Sequence, residues 1–166
     1  MAIKAQMLGR DAVMKRLRQL VPDAEEGAAA AQLEAAKDLA KAIQPRAPRG
    51  ATGEYAASIQ GDRLANRPDK RAIGGSATKD PNATGVFASH EWRWLEFGTG
   101  PHVIKPKGAP ALTFRGREGF VSVKSVNHPG TAAQPHIFPT FRAKKKAIRR
   151  KVAGAINKAV RKARGK

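Results

Sequence analysis

The sequence predicts an α+β fold with N-terminal helices, a small antiparallel β-sheet and a long basic C-terminal helix. Residues 1–44 carry apolar side chains at helical spacing. Residues 45–133 contain short runs of alternating apolar and polar residues between turn formers, which is typical of strands. Residues 134–166 return to helical spacing with a cationic surface. Because 166 residues is the length of one domain, we expect a single domain over residues 1–166.

Two helices are predicted in the first region. Apolar residues recur every three or four positions over residues about 3–20, and Pro22 then interrupts or kinks this helix. The second helix is predicted over residues 23–44, because acids crowd its first turn and Pro45 ends it. Its alanine-rich surface buries little area, so we expect a neighbouring chain to supply the missing contacts.

The second region is predicted to form short strands. Residues 54–59 favour a turn that leads into a strand, and candidate strands cover residues 57–64 and 70–77 around a hairpin. Further along, alternation predicts half-buried strands at residues 103–104, 111–114 and 120–123. A turn at residues 127–130 is expected to close the sheet.

An aromatic segment lies in the middle of this region. Trp92, Trp94 and Phe97 fall within six residues, so we expect them to form the heart of the core, with a subunit interface as the alternative. Glu91 and Glu96 flank this segment. We expect these carboxylates to pair with Arg93 or with an arginine of a neighbouring subunit.

The C-terminal region predicts one basic helix that starts near residues 134–138 and runs toward residue 163. Its narrow apolar stripe is Ile148, Val152, Ile156 and Ala159. Most of the remaining surface is cationic and is the candidate DNA- or partner-facing site, with Lys144, Lys145, Arg149, Lys151, Lys158, Arg161 and Lys162. Three interpretations stay open for it: contact with DNA phosphates, contact with an acidic protein surface, and a solvated helix face.

Charge and composition narrow the function class. The net charge is +19, and residues 119–166 contain 13 basic residues and no acid, which indicates a polyanionic or acidic partner. Leu, Ile, Val and Phe together number 31, as does alanine alone, so the core is small. We therefore expect a protein whose fold is completed by partners.

The sequence offers no catalytic site, no cofactor site and no metal site. Cysteine is absent and no two histidines have the spacing of a zinc-binding helix; we expect His128 and His136, which adjoin prolines, to be loop residues. Neither a nucleophile elbow nor a dinucleotide-binding glycine pattern occurs, and Gly98 and Gly100 are interpreted as a turn with positive φ. Without a signal peptide or a membrane-spanning run, the protein is expected to be soluble and unsecreted.

Three passages carry a resemblance to a known family. They are Ala47-Pro48 followed by Thr52-Gly53 and Ser58-Ile59; Trp94 to His102 with its Glu-Phe-Gly-Thr run; and Pro129-Gly130-Thr131 followed by Gln134 to Pro139. In this order and spacing, they resemble the tail-completion or neck family of long-tailed bacteriophages, a group similar to minor tail protein Z. The resemblance covers residues about 10–160.

The resemblance implies a structural virion protein without catalysis, located at the head–tail junction after assembly in the host cytoplasm. It implies a hexameric ring that contacts the tail tube protein and the head connector or stopper, with packaged DNA in its channel. Terminator and neck-joiner roles both stay open. The motif residues expected in the core or at an interface are Trp94, Glu96, Phe97, Gly98, Thr99, Gly100, Pro135 and Phe138.

The alternative function is that of a free basic DNA-binding architectural protein. Such a protein is expected to carry its wedge residues on a β-ribbon arm. The predicted hairpin at residues 60–82 is mixed in charge and the cations lie in the terminal helix, which favours the virion interpretation.

Overall fold

The computed structural model describes residues 22–50, 52–75 and 78–165, and it shows the predicted α+β fold. The helix predicted at residues 3–20 lies outside the described residues. Helices and strands alternate along the chain. The helices are α1 (Pro22–Ile43), α2 (Glu54–Ser58), α3 (Trp92–Phe97) and α4 (Ile137–Ala163), with 3-10 helices at Gln44–Arg46 and Leu64–Asn66; the strands are β1 (Gln60–Arg63), β2 (Thr84–Phe87), β3 (His102–Ile104), β4 (Leu112–Arg115), β5 (Phe120–Val123) and β6 (Val126–His128).

Helices α1 and α4 pack against each other and form the largest contact between elements in the described part of the chain. The two backbones approach closely where α1 has no side chain, since a Cβ at Gly27 would lie 3.9 Å from the carbonyl oxygen of Ala155 in α4. Lys151 of α4 also lies 3.0 Å from Glu34 and 2.7 Å from Asp38 of α1. Much of the counter-surface that we expected from a neighbouring chain is therefore the chain's own C-terminal helix.

The ends of α1 follow from its sequence. Pro22 stands in the first turn, where a missing N–H costs no helical hydrogen bond, and Asp23 and Glu25 complement the helix dipole there. Pro45 falls at the start of the following 3-10 helix, which confirms that the α-helix ends before it. At the next predicted turn, the chain forms the short helix α2 and then enters β1 at Gln60.

Strand β1 pairs antiparallel with β2, in the register Gln60 with Phe87 and Arg63 with Thr84. The strand predicted at residues 70–77 is wrong for its described part, because residues 70–75 form turns and a loop. This loop still contacts β2, since Ile73 donates its N–H to the carbonyl oxygen of Val86 at 2.8 Å. The turn at Gly74, with a φ of +65°, breaks the extended conformation that a strand needs.

The core lies where α1, the strand pair β1–β2 and the start of α4 meet. Its most deeply buried large side chains are Ile43, Ile59 and Phe87. We predicted that the aromatic segment forms the centre of the core, and this prediction is wrong. The segment is the short helix α3, at the edge of the core. At about 100° per residue, Trp92 and Glu96 share its inner face, whereas Trp94 and Phe97 lie on its outer face and remain 51 % and 63 % exposed.

In place of the predicted single sheet, the described residues form three separate two-stranded pairs, all antiparallel. Two of these pairs follow one another beyond the bridge of Thr99 to Thr131: β3 pairs with β6, and β4 pairs with β5, with residues 105–111 and 124–125 between the two pairs. We call residues 99–131 the ribbon arm. None of its residues is buried, so the expectation of half-buried strands is wrong here. Gly116 to Gly119 form the tip, and His128 lies in β6, not in a loop.

None of the helices in the described ranges combines the length and the apolar character that crossing a bilayer requires.

Candidate functional site

The second and third motif passages meet at the buried carboxylate of Glu96, which is 3 % exposed. One oxygen, Oε2, accepts hydrogen bonds from the backbone N–H groups of His136 at 2.8 Å and Ile137 at 2.9 Å. The other, Oε1, accepts one from the N–H of Phe138 at 3.0 Å. Glu96 therefore caps the N-terminus of α4 from a distant part of the chain, and the predicted ion pair of Glu96 with Arg93 is wrong.

This cap supplies what α4 lacks in its own sequence. The first N–H groups of a helix have no intrahelical partner, and a negative charge beside them is stabilised by the helix dipole. The α4 sequence has no acid in its first turn, and its N-cap residue, His136, makes no capping bond with its side chain. Burial raises the pKa of Glu96, but the three N–H donors and the nearby His136 ring together lower it by more, so the pKa lies below its ordinary value.

The first motif passage reaches the same junction through Tyr55. The Tyr55 hydroxyl lies 2.7 Å from Nε2 of His136, and the two rings meet edge to face at 5.5 Å. Nδ1 of His136 lies 2.7 Å from the carbonyl oxygen of Gln134, which can only accept. In the neutral imidazole, Nδ1–H therefore donates to Gln134, and Tyr55 donates its hydroxyl proton to Nε2. Burial, followed by the nearby charges of Glu96 and Glu91, raises the pKa of Tyr55.

Two glycines fix the base of the ribbon arm beside this junction. Gly98 has a φ of +73°, and a Cβ there would lie 2.6 Å from the carbonyl oxygen of Thr131. Gly130 has a φ of +91°, and a Cβ there would overlap the carbonyl oxygen of Thr99. Between them, Thr99 and Thr131 exchange backbone hydrogen bonds of 3.0 and 3.1 Å. The predicted positive φ is confirmed at Gly98, whereas Gly100 does not have one.

The three passages therefore form one structural unit, which we call the motif junction: Tyr55, Glu96, Gly98, Gly130 and His136. The first passage also contributes Ala47 and Ile59 to the core, and Leu95 accepts a hydrogen bond from the N–H of Gln134 at 2.7 Å. Sequence reasoning missed Tyr55. Its placement of His136 in a loop is confirmed, since His136 directly precedes α4, but the buried contacts of this side chain were not predicted. The signal available for Glu96 was an acid-free first turn in α4, which needs a cap from elsewhere.

An aromatic surface, exposed at Trp94 and Phe97 and half-buried at Trp92 and Phe138, lies directly beside the motif junction. The rings of Phe97 and Phe138 lie 5.8 Å apart, and Trp92 lies 6.3 Å from Phe97 and 6.4 Å from Phe138. Trp94 continues this surface on the outer side of α3 and contacts His90 edge to face. We call Trp92, Trp94, Phe97 and Phe138 the aromatic surface. Aromatic side chains in such a position are typical anchors of protein–protein interfaces.

The cationic residues of α4 divide into two groups. Lys151 pairs with Glu34 and Asp38, and Lys162 lies 2.9 Å from Asp23, so these two lysines face α1. The others are exposed: Lys144, Lys145, Arg149, Lys158 and Arg161. Within residues 22–50, 52–75 and 78–165, none of these five side chains has an acid within ion-pair distance.

Potential metal ligands do not gather in the part of the chain that the structure describes, where no cluster of three or more His, Cys, Asp or Glu could hold an ion. His102 and His128 do face each other across β3 and β6, with ring centroids 5.0 Å apart. Two imidazoles supply too few ligands for a structural or catalytic zinc site.

Comparison with known families shows the class of protein to which this chain belongs. Residues 11–98, more than half of the chain, match the HK97-gp10-like family, described as a candidate tail component of bacteriophages. The chain therefore belongs to the bacteriophage HK97-gp10-like family and is a structural component of a phage tail. This confirms the sequence-based expectation of a phage tail or neck protein; the narrower similarity to minor tail protein Z stays a prediction. No curated protein and no solved structure matches the chain.

Proposed function

We propose that the protein completes the phage tail and joins it to the head as the subunit of a hexameric ring at the head–tail junction. The observation that carries this proposal is the aromatic surface, held on a helix whose position is fixed by the buried cap at Glu96. Large apolar rings half exposed on a rigid support favour a permanent protein contact. A closed ring needs two different surfaces on each subunit, and the exposed ribbon arm offers a second one.

The proposed partners follow from this position. Each subunit contacts its two neighbours in the ring, and the ring faces contact the tail tube protein and the head connector or stopper. The exposed cations of α4, such as Lys144 and Arg149, would face the packaged DNA that passes the ring, or an acidic protein surface. We also propose that residues 1–166 act as a single domain, assembled in the host cytoplasm and carried in the virion.

Electron microscopy of a phage lysate made without this protein tests the proposal. Full heads beside overlong, unattached tails would establish a tail terminator, whereas heads beside tails of normal length would establish a joining protein. Joined particles of normal appearance would refute both roles.

Complementation then tests the aromatic surface. We expect the double variant Trp94→Ser with Phe97→Ser to fold but to leave heads and tails unjoined, because both side chains are exposed in the isolated chain. The matched control is Lys70→Ser with Arg71→Ser, two exposed residues away from the motif junction, which should restore joining.

The ribbon arm also favours a second candidate function, that of a DNA-binding architectural protein. The arm corrects the argument made from sequence, since the strands predicted at residues 103–104, 111–114 and 120–123 are present but belong to an exposed β-ribbon, not to a half-buried sheet. Its tip region carries Arg115 and Arg117, and Phe120 is 81 % exposed, as a wedge residue would be. Bending of duplex DNA by the purified protein, lost on Phe120→Ser, would support this function; the absence of bending would exclude it.

A further inference from the structure

The apolar stripe of α4 is only partly covered in the described part of the chain. Ile148 and Val152 are half-buried, and Phe141 and Ile156 are each 38 % exposed. Their spacing of seven, four and four residues places them on one side of the helix. We call Phe141, Ile148, Val152 and Ile156 the open stripe. Continuous apolar surface of this kind marks a place where another part of a protein packs.

An apolar cleft of about 320 Å³ lies at the Phe141 end of the open stripe. It opens between α1, α4 and β2, and its walls include Leu39, Val86, Ile148 and Val152. A cavity of roughly 150 Å³ lined by apolar side chains holds a benzene molecule. The cleft therefore has room for more than one large apolar side chain.

The other end of the open stripe lies beside the start of α1. Helices α1 and α4 run antiparallel, since Lys162 near the end of α4 contacts Asp23 in the first turn of α1. Gly27 of α1 also lies close to the α4 backbone, one residue before Ile156. The open stripe therefore leads from Pro22, where the described chain begins, back to the cleft.

We propose that residues 3–21 of the same chain turn back at Pro22 and pack as a helix along the open stripe, with their far end in the cleft. We call residues 3–21 the N-terminal segment. Its attachment to α1 favours it as the occupant, because a tethered segment is present at a local concentration of millimolar order. The contact lies within one chain, so it does not depend on the ring proposed above.

The apolar pattern of the N-terminal segment matches the open stripe in length. The segment lies outside the described residues, but its sequence predicts four apolar side chains on one side of a helix: Met7, Met14, Leu17 and Val21. At about 1.5 Å per residue, Val21 and Met7 are roughly 21 Å apart along such a helix, and Ile156 and Phe141 are roughly 22 Å apart along α4. One row of apolar side chains can therefore cover the other from end to end.

The reach of the segment brings Met7 to the cleft. A helix that turns back at Pro22 passes the α1 residue that is equally far from the turn, so Met7 comes level with residue 37 of α1. The α1 wall of the cleft extends from Gln32 to Ile43, which includes this level. Methionine is unbranched and adapts to irregular apolar gaps, so it is well suited to fill this space.

Pro22 and the charges around it favour the reversal. The residue before a proline is pushed away from helical angles, so one continuous helix through Pro22 is disfavoured. Arg18 and Glu25 stand on either side of this proline, and a reversal brings their opposite charges together. Arg10, which falls on the apolar side, comes level with Glu34 of α1, and its long stem can carry the charge to that exposed carboxylate.

Thiol reactivity in the full chain tests the cover, and the natural sequence has no cysteine to interfere. Val152→Cys places a thiol on the open stripe. Its alkylation by a maleimide should speed up at least about tenfold when Met7→Ser and Leu17→Ser are added, because the packed segment then loses two buried side chains. The matched control adds Lys4→Ser and Lys15→Ser, which lie away from the apolar side, and should leave the rate unchanged.

Cross-linking then identifies the chain that supplies the cover. Gln32→Cys places a thiol at the cleft without removing an apolar wall residue. Combined with Met7→Cys in one chain and treated with a short bis-maleimide in dilute solution, it is expected to give an internally linked monomer. The matched control replaces Met7→Cys with Leu8→Cys, about 100° further around the helix, and should give at least about fivefold less product.

A buried thiol separates release of the segment from unfolding of the chain. Ile59 is fully buried in the core, so Ile59→Cys should stay unreactive when Met7→Ser and Leu17→Ser are added. Equal acceleration at Ile59→Cys and Val152→Cys would overturn the inference of a local cover.

The remaining outcomes also decide the matter. A Val152→Cys thiol whose alkylation does not respond to Met7→Ser and Leu17→Ser overturns the contact, because something other than the N-terminal segment then covers the open stripe. Cross-linked dimers in place of the internally linked monomer overturn it as well and assign the cleft to a second copy. Normal joining of heads and tails without this protein would refute the proposed function but leave this contact in place.

Discussion

Glu96 links two parts of the chain that lie 40 residues apart in sequence. Its carboxylate is nearly inaccessible to water, yet the pKa is lowered, because three backbone N–H groups at the start of α4 stabilise the charged form. These hydrogen bonds fix the orientation of α3 relative to the start of α4. At the scale of single residues, it is the main reason why the aromatic surface has a fixed position.

Removal of this carboxylate is expected to destabilise the fold. In Glu96→Ala, three buried N–H groups lose their acceptor, and we expect the free energy of unfolding to fall by about 2–4 kcal/mol. Urea denaturation followed by circular dichroism measures this loss. Glu118→Ala, at the exposed tip of the ribbon arm, should change the free energy by less than about 0.5 kcal/mol; an equal loss in both variants would contradict the capping role.

The lowered pKa of Glu96 also predicts a dependence of stability on pH. Because the folded pKa lies below the ordinary value of 4.5, the unfolded chain binds more protons as the pH falls through this range. The contribution of Glu96 is therefore complete above pH 4.5 and is lost progressively below it. Denaturation of wild type and Glu96→Gln between pH 7 and pH 3 should show a difference that shrinks at the acidic end, and a constant difference would be evidence against this account.

Tyr55 supports the same junction by a single hydrogen bond. Tyr55→Phe keeps the ring but removes the hydroxyl that lies 2.7 Å from His136. We expect a loss of about 1 kcal/mol in the free energy of unfolding, the usual contribution of one hydrogen bond. Thermal unfolding measures it, and the combined variant with Glu96→Ala should lose less than the sum of the two single changes, because both act on the start of α4.

At the scale of elements, close backbone approach decides where β1 can pack. Gly61 of β1 lies so near α1 that a Cβ at this position would overlap the backbone of Ala36. Gly154 in α4 is the opposite case, since a Cβ there would meet nothing within 4 Å. The two glycines form a matched pair for one substitution.

Alanine at these two glycines is expected to have effects of opposite sign. Gly61→Ala should lower the free energy of unfolding by about 1–3 kcal/mol, because the strand must move away from α1. Gly154→Ala should raise it by up to about 1 kcal/mol, since alanine has the higher helix propensity. Chemical denaturation of both variants tests this. Destabilisation by Gly154→Ala would show that the space beside Gly154 is occupied, and would contradict this account.

The elements also show what sequence patterns could and could not predict. Helices α1 and α4 follow from periodicity, acids and prolines near their ends, which are local signals. The aromatic segment was misjudged because six residues can form either a strand or a short helix, and only the helix turns Trp94 outward. The strand predicted at residues 70–77 is wrong because β1 pairs with β2 instead. Which of two distant segments pairs with a strand is not encoded in the local sequence pattern. The Glu96 cap is likewise non-local, and its one sign in the α4 sequence is that the first turn contains no acid.

At the scale of the whole molecule, the charge is arranged in layers. Lys151 and Lys162 neutralise acids of α1, while Lys144, Lys145 and Arg149 are exposed and have no acid within ion-pair distance in the described part of the chain; we call these three the outer cations of α4. Exposed ion pairs such as these contribute little stability. The outer cations are therefore more informative about partners than about folding.

Binding of duplex DNA should depend on these outer cations in a salt-sensitive way. In the triple variant Lys144→Gln, Lys145→Gln and Arg149→Gln, the slope of log K against log salt should flatten by about 0.9 for each phosphate contact that is lost. The control changes Lys70, Arg71 and Lys79 to Gln in the exposed loop region. Fluorescence anisotropy over a salt series measures both slopes. Equal slopes for the two variants would exclude DNA phosphates as the partner of the outer cations and leave an acidic protein surface or a solvated helix face.

The closed base of the ribbon arm has a consequence for how the molecule tolerates change. Thr99 and Thr131 are hydrogen-bonded neighbours, so the 31 residues between them leave and re-enter the core at one point. A segment with this geometry behaves as a replaceable module, since it can be shortened, extended or exchanged without opening the core. The motif junction, on the core side of that point, consists of close contacts that tolerate little substitution. The arm on the other side is the part of the chain that can diversify to fit a different neighbour.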